Sequence, residues 1–176
     1  FGNRGHDDSP LFRLLVLSVA ENTRTAGHGS PRHQPGGAIE SLAAIRQPAT
    51  AMTTDAELIE LARATLNPRK TAKKCFVGDV ASALVAESGA LFVGQCVDTP
   101  SGMGFCAEPN AIGSMQTAGE SRIVTIVAVL HDGRIVPPCG RCREFIFQVD
   151  HANTQARMIV GDGKVVLLEE LLPYQG

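Results

Sequence analysis

Three cysteines and one glutamate in this 176-residue chain have the spacing of a catalytic metal site. Cys106 is followed two residues later by Glu108, and Cys139 and Cys142 form a Cys-x-x-Cys pair further along the chain. Zinc takes thiolate ligands, and catalytic zinc sites use three protein ligands and keep the fourth tetrahedral position for water. A carboxylate at position 108 is near enough to exchange protons with that water without being a ligand. The pattern predicts hydrolytic chemistry at a zinc ion held by Cys106, Cys139 and Cys142.

Both halves of this pattern are expected at the beginning of a helix. Cys106 follows a loop with Pro and Gly at residues 99–104 and precedes an Ala-containing helix. Cys139 follows two prolines and opens a helix that we predict over residues 141–149. Three thiolates and Zn²⁺ sum to a charge of minus one, which the positive ends of two helix dipoles would offset. The metal would then remain a Lewis acid able to activate water.

The elements around these motifs alternate between helix and strand. A first helix begins at Thr53 or Thr54 and ends at Asn67-Pro68. Strands are predicted at residues 79–85, 91–97, 123–130 and 158–160, with 165–168 as a further candidate, and the first two form a hairpin. This alternation indicates an α/β domain with helices packed over a partly parallel sheet.

Composition and charge restrict the partners of this chain. It is 44% hydrophobic and 19% charged, with a net charge of -2, one Tyr and no Trp. Because this provides no basic, aromatic-lined groove, we expect a small-molecule substrate and no nucleic acid. An apolar run at residues 11–20 is too short to cross a bilayer, so we expect no membrane. Five cysteines, an odd number, favour reduced thiols and a cytoplasmic protein.

Residues 1–51 differ from the remainder, because they contain no Lys, no Cys and three of the five His. We expect this N-terminal extension to be disordered or outside the natural product, with Met52 as the natural start. A signal peptide that ends near Ala20 is the alternative, which the weak charge of its first residues disfavours. Residues 52–176 then form one zinc domain.

Each part of the metal pattern also has an interpretation without catalysis. A Cys-x-x-Cys pair alone is typical of a structural zinc site or a redox pair. Cys75 or Cys96 would be a fourth ligand for a closed site, although core packing is the better interpretation of both. His131 is interpreted as a solvated turn residue. Glu108 favours catalysis, because a structural site needs no unpaired acid beside its metal.

The joint pattern, C-A-E at 106–108 and P-C-x-x-C at 138–142, resembles that of zinc-dependent nucleobase deaminases. The resemblance extends over about residues 53–174 and includes D-V-A-S-A at 79–83 and E-L-L-P at 170–173. The chain is thus similar to the cytidine deaminase family, and within it to the branch with blasticidin-S deaminases. The resemblance implies a three-layer α/β/α fold with a mixed five-stranded sheet, one Zn²⁺ per subunit, a homotetramer or dimer, and a role in nucleoside metabolism through pyrimidine salvage.

The resemblance also implies a mechanism on a cytosine-containing small molecule, either cytidine, deoxycytidine or a modified analogue. Zinc-bound hydroxide would attack ring carbon C4, with Glu108 as the proton shuttle. Backbone N–H groups near Ala107 and Cys139 would hold the reacting oxygen, and the Pro138 carbonyl would accept a hydrogen bond from the leaving amine. Alternatives are a blasticidin-S-like deaminase and a hydrolase of N4-substituted cytosine nucleosides.

The sequence departs from the cytidine-specific pattern near this centre. Nucleoside-specific members have Asn-x-Glu for the ribose hydroxyls, whereas this chain has Cys96-Val97-Asp98. Gly78 stands where such members have an aromatic residue, and Phe76 is nearby. We therefore expect Phe76 and Asp98 to contact the substrate.

A second departure concerns the charge of the site. Thiolate-rich members often have Arg directly after the catalytic Glu, and this chain has Pro109 there. Arg141 or Arg143 is expected to balance the charge instead. The alternative from another class is a zinc-stabilised interaction module without catalysis.

Overall fold

The computed structural model of the chain describes residues 53–174. Within them the α-helices are α1 (Asp55–Thr65), α2 (Ala107–Thr117), α3 (Gly140–Val149) and α4 (Leu168–Leu171). The strands are β1 (Arg69–Ala72), β2 (Cys75–Ala86), β3 (Leu91–Asp98), β4 (Ile123–Leu130), β5 (Ile135–Val136), β6 (Arg157–Gly161) and β7 (Lys164–Leu167). No helix in this range is long and apolar enough to cross a membrane. The expectation for residues 1–51 lies outside the described residues.

Helix α1 is capped by Thr54, one of the two predicted starting residues, and the structure shows a capping box there. The Thr54 hydroxyl oxygen accepts a hydrogen bond from the backbone N–H of Glu57 at 3.2 Å. The Glu57 carboxylate accepts one from the backbone N–H of Thr54 at 2.8 Å. These contacts satisfy N–H groups that have no partner inside the helix. The helix ends before Asn67-Pro68 and places Leu58 and Ala62 against the sheet.

The sheet is mixed and is centred on β2 and β4. β2 pairs antiparallel with β1, β3 and β4. β4 pairs in parallel with β6, and α3 lies in the connection between them. β7 pairs antiparallel with β6, and the short β5 pairs with β4. The parallel pair therefore has the helical crossover that such a connection needs.

Helices cover both faces of the sheet, so the domain has three layers. On one face α1 packs over a cluster that includes Leu58, Ala81 and Val127. On the other face α2, α3 and α4 pack over a cluster that includes Met115 and Ile146. One apolar cluster on each side of the sheet is typical of an α/β/α domain.

The predicted fold class is confirmed, and two short strands, β1 and β5, add to the five expected ones. The sequence pattern does not predict β1, because all four of its residues are exposed and it lacks apolar alternation. It also misses the first four residues of β2, where Gly78 interrupts the regular pairing. Gly78 has φ +82°, and the β2–β3 register shifts between Val77 and Ala81. A bulge of this kind hides the strand periodicity.

Candidate metal centre and active site

The three cysteines predicted as ligands lie together in the structure. Their sulfur atoms are all within 4.8 Å of one another. The Sγ atoms of Cys106 and Cys139 are 3.7 Å apart, and those of Cys139 and Cys142 are 3.4 Å apart. Thiolates on one tetrahedral zinc, with Zn–S distances of about 2.3 Å, would be separated by about 3.8 Å. The sulfur cluster therefore fits a single zinc ion with the fourth position open.

Two helix N-termini hold this cluster. Cys106 is the N-cap of α2 and Cys139 is the N-cap of α3, with nearly identical backbone angles (φ -69°, ψ 167° and φ -66°, ψ 167°). Neither side chain caps its own helix, so both sulfur atoms are available to a metal. Cys142 lies in the first turn of α3. The N–H groups and positive dipole ends of both helices favour negative charge at the sulfur cluster.

Glu108 lies in the first turn of α2 with only 5% of its surface exposed. None of the ion pairs found within residues 53–174 includes it. Burial raises the pKa of Glu108 above its ordinary value, although hydrogen bonds with its own backbone and with Cys142 oppose the shift. A buried acid without a cationic partner, beside three clustered thiols, is a candidate for proton transfer.

The thiols differ in how readily they ionise. Burial raises the pKa of Cys106 and of Cys142, and the charge of Glu108 adds to both shifts. Burial acts in the same direction on Cys139, but hydrogen bonds with the Cys142 backbone N–H and with the neighbouring thiols outweigh it and lower its pKa. Metal coordination deprotonates a thiol, so a bound cation would overcome the cost at the two resistant thiols. This donor set fits a metal ion.

A close contact between α2 and β3 fixes where Cys106 and Glu108 lie. A Cβ atom on Gly94 would be 2.3 Å from the backbone N of Ala111 and 2.6 Å from the backbone O of Ala107. The helix backbone therefore rests directly on the strand, and only glycine allows this approach. The first turn of α2 is thereby placed above β3.

Phe76 and Asp98, the predicted substrate contacts, are cross-strand partners on β2 and β3. Opposite residues of an antiparallel pair point to the same face of the sheet. Alternate residues along a strand also share a face, so Asp98 shares one with Gly94, on which α2 rests. Phe76 is 46% exposed, and Asp98 is also exposed. Both candidates therefore lie on the face of the sheet that carries the sulfur cluster.

One neighbour of this pair was missed by sequence reasoning. Lys70 on β1 is opposite Phe76, and its Nζ atom lies 5.6 Å from the centroid of the Phe76 ring. The sequence carried no signal for this contact because β1 has no strand pattern. Lys70, Phe76 and Asp98 form a row across three strands, so a group bound there would meet a cation, a ring and a carboxylate.

The departures at Gly78 and Cys96 have structural explanations. A Cβ on Gly78 would be 2.2 Å from the backbone O of Asn67, so no aromatic side chain fits at that position. Cys96 is buried, accepts a hydrogen bond from the N–H of Val80 at 3.3 Å and donates to Asp98 Oδ2 at 3.6 Å. It lies outside the three-thiol cluster.

Pro138, directly before Cys139, and Ala107, directly after Cys106, are both buried. The Pro138 carbonyl accepts a hydrogen bond from Arg143 Nε at 2.9 Å. Arg143 Nη1 also donates to the carbonyl of Leu171 at 3.3 Å. The side chain of Arg143 therefore connects the metal-ligand segment to the end of α4.

Arg141 contacts the other ligand segment, since its Nη1 donates to the carbonyl of Gly104 at 3.4 Å. It lines a groove of about 550 Å³ between α2 and α3 together with Pro109, Phe105 and Phe145. Within the described residues, neither this arginine nor Arg143 hydrogen-bonds to a ligand sulfur. The groove nevertheless brings Arg141 to the side of α2 where Pro109 lies.

A comparison with known protein families agrees with this geometry. The sequence model for the cytidine and deoxycytidylate deaminase zinc-binding region matches residues 52–158, which include all three cysteines and Glu108. The chain belongs to the cytidine and deoxycytidylate deaminase family. Membership makes it a hydrolytic deaminase with one zinc ion, so the predicted family, enzyme class and cofactor are confirmed.

The chain is similar to cytidine deaminases and to a blasticidin-S deaminase. A cytidine deaminase of Halalkalibacterium halodurans is 32% identical over 97 residues, which cover 53% of this chain and 74% of that protein. The blasticidin-S deaminase of Bacillus cereus is 34% identical over 132 residues, which cover 69% of this chain and 91% of that protein. A crystal structure of cytidine deaminase from Burkholderia pseudomallei matches with a TM-score of 0.56 and 27% identity, covering 70% of this chain and 100% of the other.

Proposed function

We propose that this deaminase removes the exocyclic amino group of a cytosine-containing small molecule, either cytidine, deoxycytidine or a modified analogue. Water adds at ring carbon C4, the C4–N bond breaks, and ammonia leaves a carbonyl behind. One observation carries the proposal, namely the buried carboxyl of Glu108 beside three thiols whose spacing fits zinc. Similarity to a blasticidin-S deaminase supports including aminoacylated nucleosides among the substrates.

The metal and the acid have separate tasks. Cys106, Cys139 and Cys142 would hold zinc, which when bound supplies the Lewis acidity that activates water. Glu108 accepts a proton from this water and delivers protons to the ring nitrogen and to the departing amine. Burial raises the pKa of Glu108, which brings it toward the working pH and suits a group that must both accept and donate.

Backbone groups complete the reaction centre. The N–H groups near Ala107 and Cys139 lie at helix starts, where they have no partner within the helix, and they would stabilise the reacting oxygen. The carbonyl of Pro138 would accept a hydrogen bond from the amine. Arg143 already donates to this oxygen, but a carbonyl has two lone pairs and can accept a second bond.

The remainder of the substrate would lie over Phe76 and Asp98. The exposed ring offers a face for stacking, and the carboxylate offers two acceptors for sugar hydroxyls. This chain has the thiol of Cys96 at the position where nucleoside-specific relatives have the amide of an asparagine. We therefore propose a more tolerant sugar pocket, and hydrolysis of N4-substituted cytosine nucleosides as a second activity.

Arg141 is proposed to balance the negative charge of the three-thiolate site. It would replace the arginine that thiolate-rich relatives often have at the position of Pro109. Its position in the groove beside Pro109 supports this role. Arg143 is the other candidate, because its side chain lies beside the Pro138 carbonyl, next to Cys139. If Arg141→Gln and Arg143→Gln both leave the pH dependence of turnover unchanged, charge balance by these residues is refuted.

We also propose a homotetramer acting in pyrimidine salvage in the cytoplasm. The exposed side chains of Met103 and of Phe105, which lines the groove between α2 and α3, are apolar surface that a neighbouring subunit would cover. Multi-angle light scattering of the purified protein measures the assembly directly, and a monomer at micromolar concentration would contradict it.

A substrate panel tests the proposed reaction. Ultraviolet absorbance is followed with cytidine, deoxycytidine, cytosine, blasticidin S and an N4-acylcytidine, with Glu108→Ala as the control. We expect turnover of at least one compound and loss of turnover in the variant. If zinc is bound and every compound stays intact, the zinc-stabilised interaction module becomes the better account.

A further inference from the structure

Arg143 makes three hydrogen bonds around the metal-ligand segment and the C-terminal helix. Its backbone N–H donates to the carbonyl of Cys139 at 3.0 Å and closes the first turn of α3. Its Nε donates to the carbonyl of Pro138 at 2.9 Å, and its Nη1 donates to the carbonyl of Leu171 at 3.3 Å. One residue thus holds two successive carbonyls of the turn that carries a ligand.

The turn at residues 137–139, the ligand turn, has few backbone hydrogen-bond donors of its own. Pro137 and Pro138 connect β5 to Cys139, and proline has no backbone N–H to donate to a neighbouring element. Cys139 is itself the most exposed of the three ligand thiols. The direction of the Pro138 carbonyl and the position of Cys139 therefore depend on donors from outside the turn.

The other end of this connection is firmly packed. Helix α4 is only four residues long, but Leu168 at its start is fully buried in the cluster below α2 and α3. The Leu171 carbonyl belongs to the last turn of this helix, where carbonyls lack partners within the helix. Arg143 therefore connects the ligand turn to a fixed point of the core.

We propose that Arg143 is a positioning residue, which fixes Cys139 and the Pro138 carbonyl by tying their turn to the end of α4. Its effect on the leaving amine, through the Pro138 carbonyl, rests on the proposed function. Its effect on the position of the Cys139 thiol requires only that the three cysteines bind zinc. It acts through geometry, since Nε and Nη1 of a planar guanidinium reach two separate carbonyls at once. A lysine has the charge but cannot span both.

The experiment compares Arg143→Gln and Arg143→Lys with the parent protein, with Arg134→Gln as a control. Arg134 is an exposed arginine whose side chain pairs with Asp132 in a surface turn and has no other side-chain partner within residues 53–174. Zinc retention is measured by competition with a chelating indicator, and kcat and KM are measured on whichever cytosine compound the parent accepts. Circular dichroism during heating reports whether each variant is folded.

We expect both Arg143 variants to lose zinc to the indicator at about 10- to 100-fold lower chelator concentration, the range seen when groups that orient metal ligands are removed. We also expect kcat to fall more than KM rises, because the misplaced groups act on the reacting centre rather than on the sugar. The Arg134→Gln control should match the parent in all three measurements.

Full restoration by Arg143→Lys would overturn the proposal, since charge alone would then suffice. Zinc retention and kcat equal to the parent in Arg143→Gln would also overturn it. If neither variant folds, Arg143 is a stability residue and the positioning role is again refuted. If the parent turns over none of the compounds, the proposed function fails, while zinc competition still decides the role of Arg143.

Discussion

Gly94→Ala should damage the active centre without changing any residue in it. The new Cβ would lie 2.3 Å from the backbone N of Ala111, against an ordinary contact distance of at least 3.4 Å, so α2 has to move by about 1 Å. Overpacking of this kind costs about 1–3 kcal/mol of unfolding free energy. The moving helix carries Cys106 and Glu108, and a shift of about 1 Å at a reacting centre lowers the rate by about 100-fold.

The assay combines urea unfolding with initial rates on the preferred cytosine compound. Gly113→Ala is the matched control, because Gly113 lies in the same helix and a Cβ there meets nothing within 4 Å. Replacing glycine by alanine inside a helix should stabilise it by about 0.5–1 kcal/mol and leave the rate unchanged. Parent-like stability and turnover in Gly94→Ala would refute the claim that this contact positions α2.

Three further results are expected. Glu108→Gln should keep its zinc and lower kcat by about 100- to 10,000-fold, measured by metal analysis and initial rates; a smaller loss would contradict the proton-transfer role. Removing zinc with a chelator should abolish turnover and lower the unfolding temperature, and added zinc should restore both; an unchanged unfolding temperature would contradict a metal that binds the folded state. The backbone hydrogen bond from Thr54 lowers the pKa of Glu57, so its stabilising effect is present at neutral pH and disappears as the pH falls through that lowered pKa. Glu57→Ala should therefore unfold at a lower temperature at pH 7 and match the parent in acid, and a gap that persists in acid would contradict this assignment.

The metal centre was predictable because its ligands follow a local rule. Cys106 and Cys139 each open a helix, and the elements before them have apolar or turn patterns that a sequence reveals directly. The start of α1 and the buried strand β4 were predictable for the same reason. Each of these features depends on residues within a few positions of one another.

The edge of the site was not predictable in the same way. Strand β1 is polar and exposed, and it forms because β2 provides a partner, so neither its existence nor the contact of Lys70 with Phe76 has a local signal. The contacts of Arg143 join α3 to α4 across 28 residues. The sequence suggests that Arg143 could balance the charge of the thiolates. Only the fold shows that the N–H groups of its side chain donate to backbone carbonyls.

Close packing is the other limit of sequence reasoning. Gly94 lies in a strand pattern where glycine would ordinarily indicate a weak position, yet here it permits the contact that places Glu108. Gly78 similarly replaces an expected aromatic residue because the backbone of Asn67 occupies the space. Such contacts depend on elements distant in sequence.

The central claim is that Glu108 moves the protons as water adds to a cytosine ring and ammonia leaves, beside a zinc ion that Cys106, Cys139 and Cys142 would hold. The most direct measurement is mass spectrometry of the product formed in ¹⁸O-labelled water, with ammonia counted in the same reaction. We predict one labelled oxygen in each product molecule and one ammonia per product, with both lost in Glu108→Ala. Unlabelled product, or equal product from Glu108→Ala, would contradict the account.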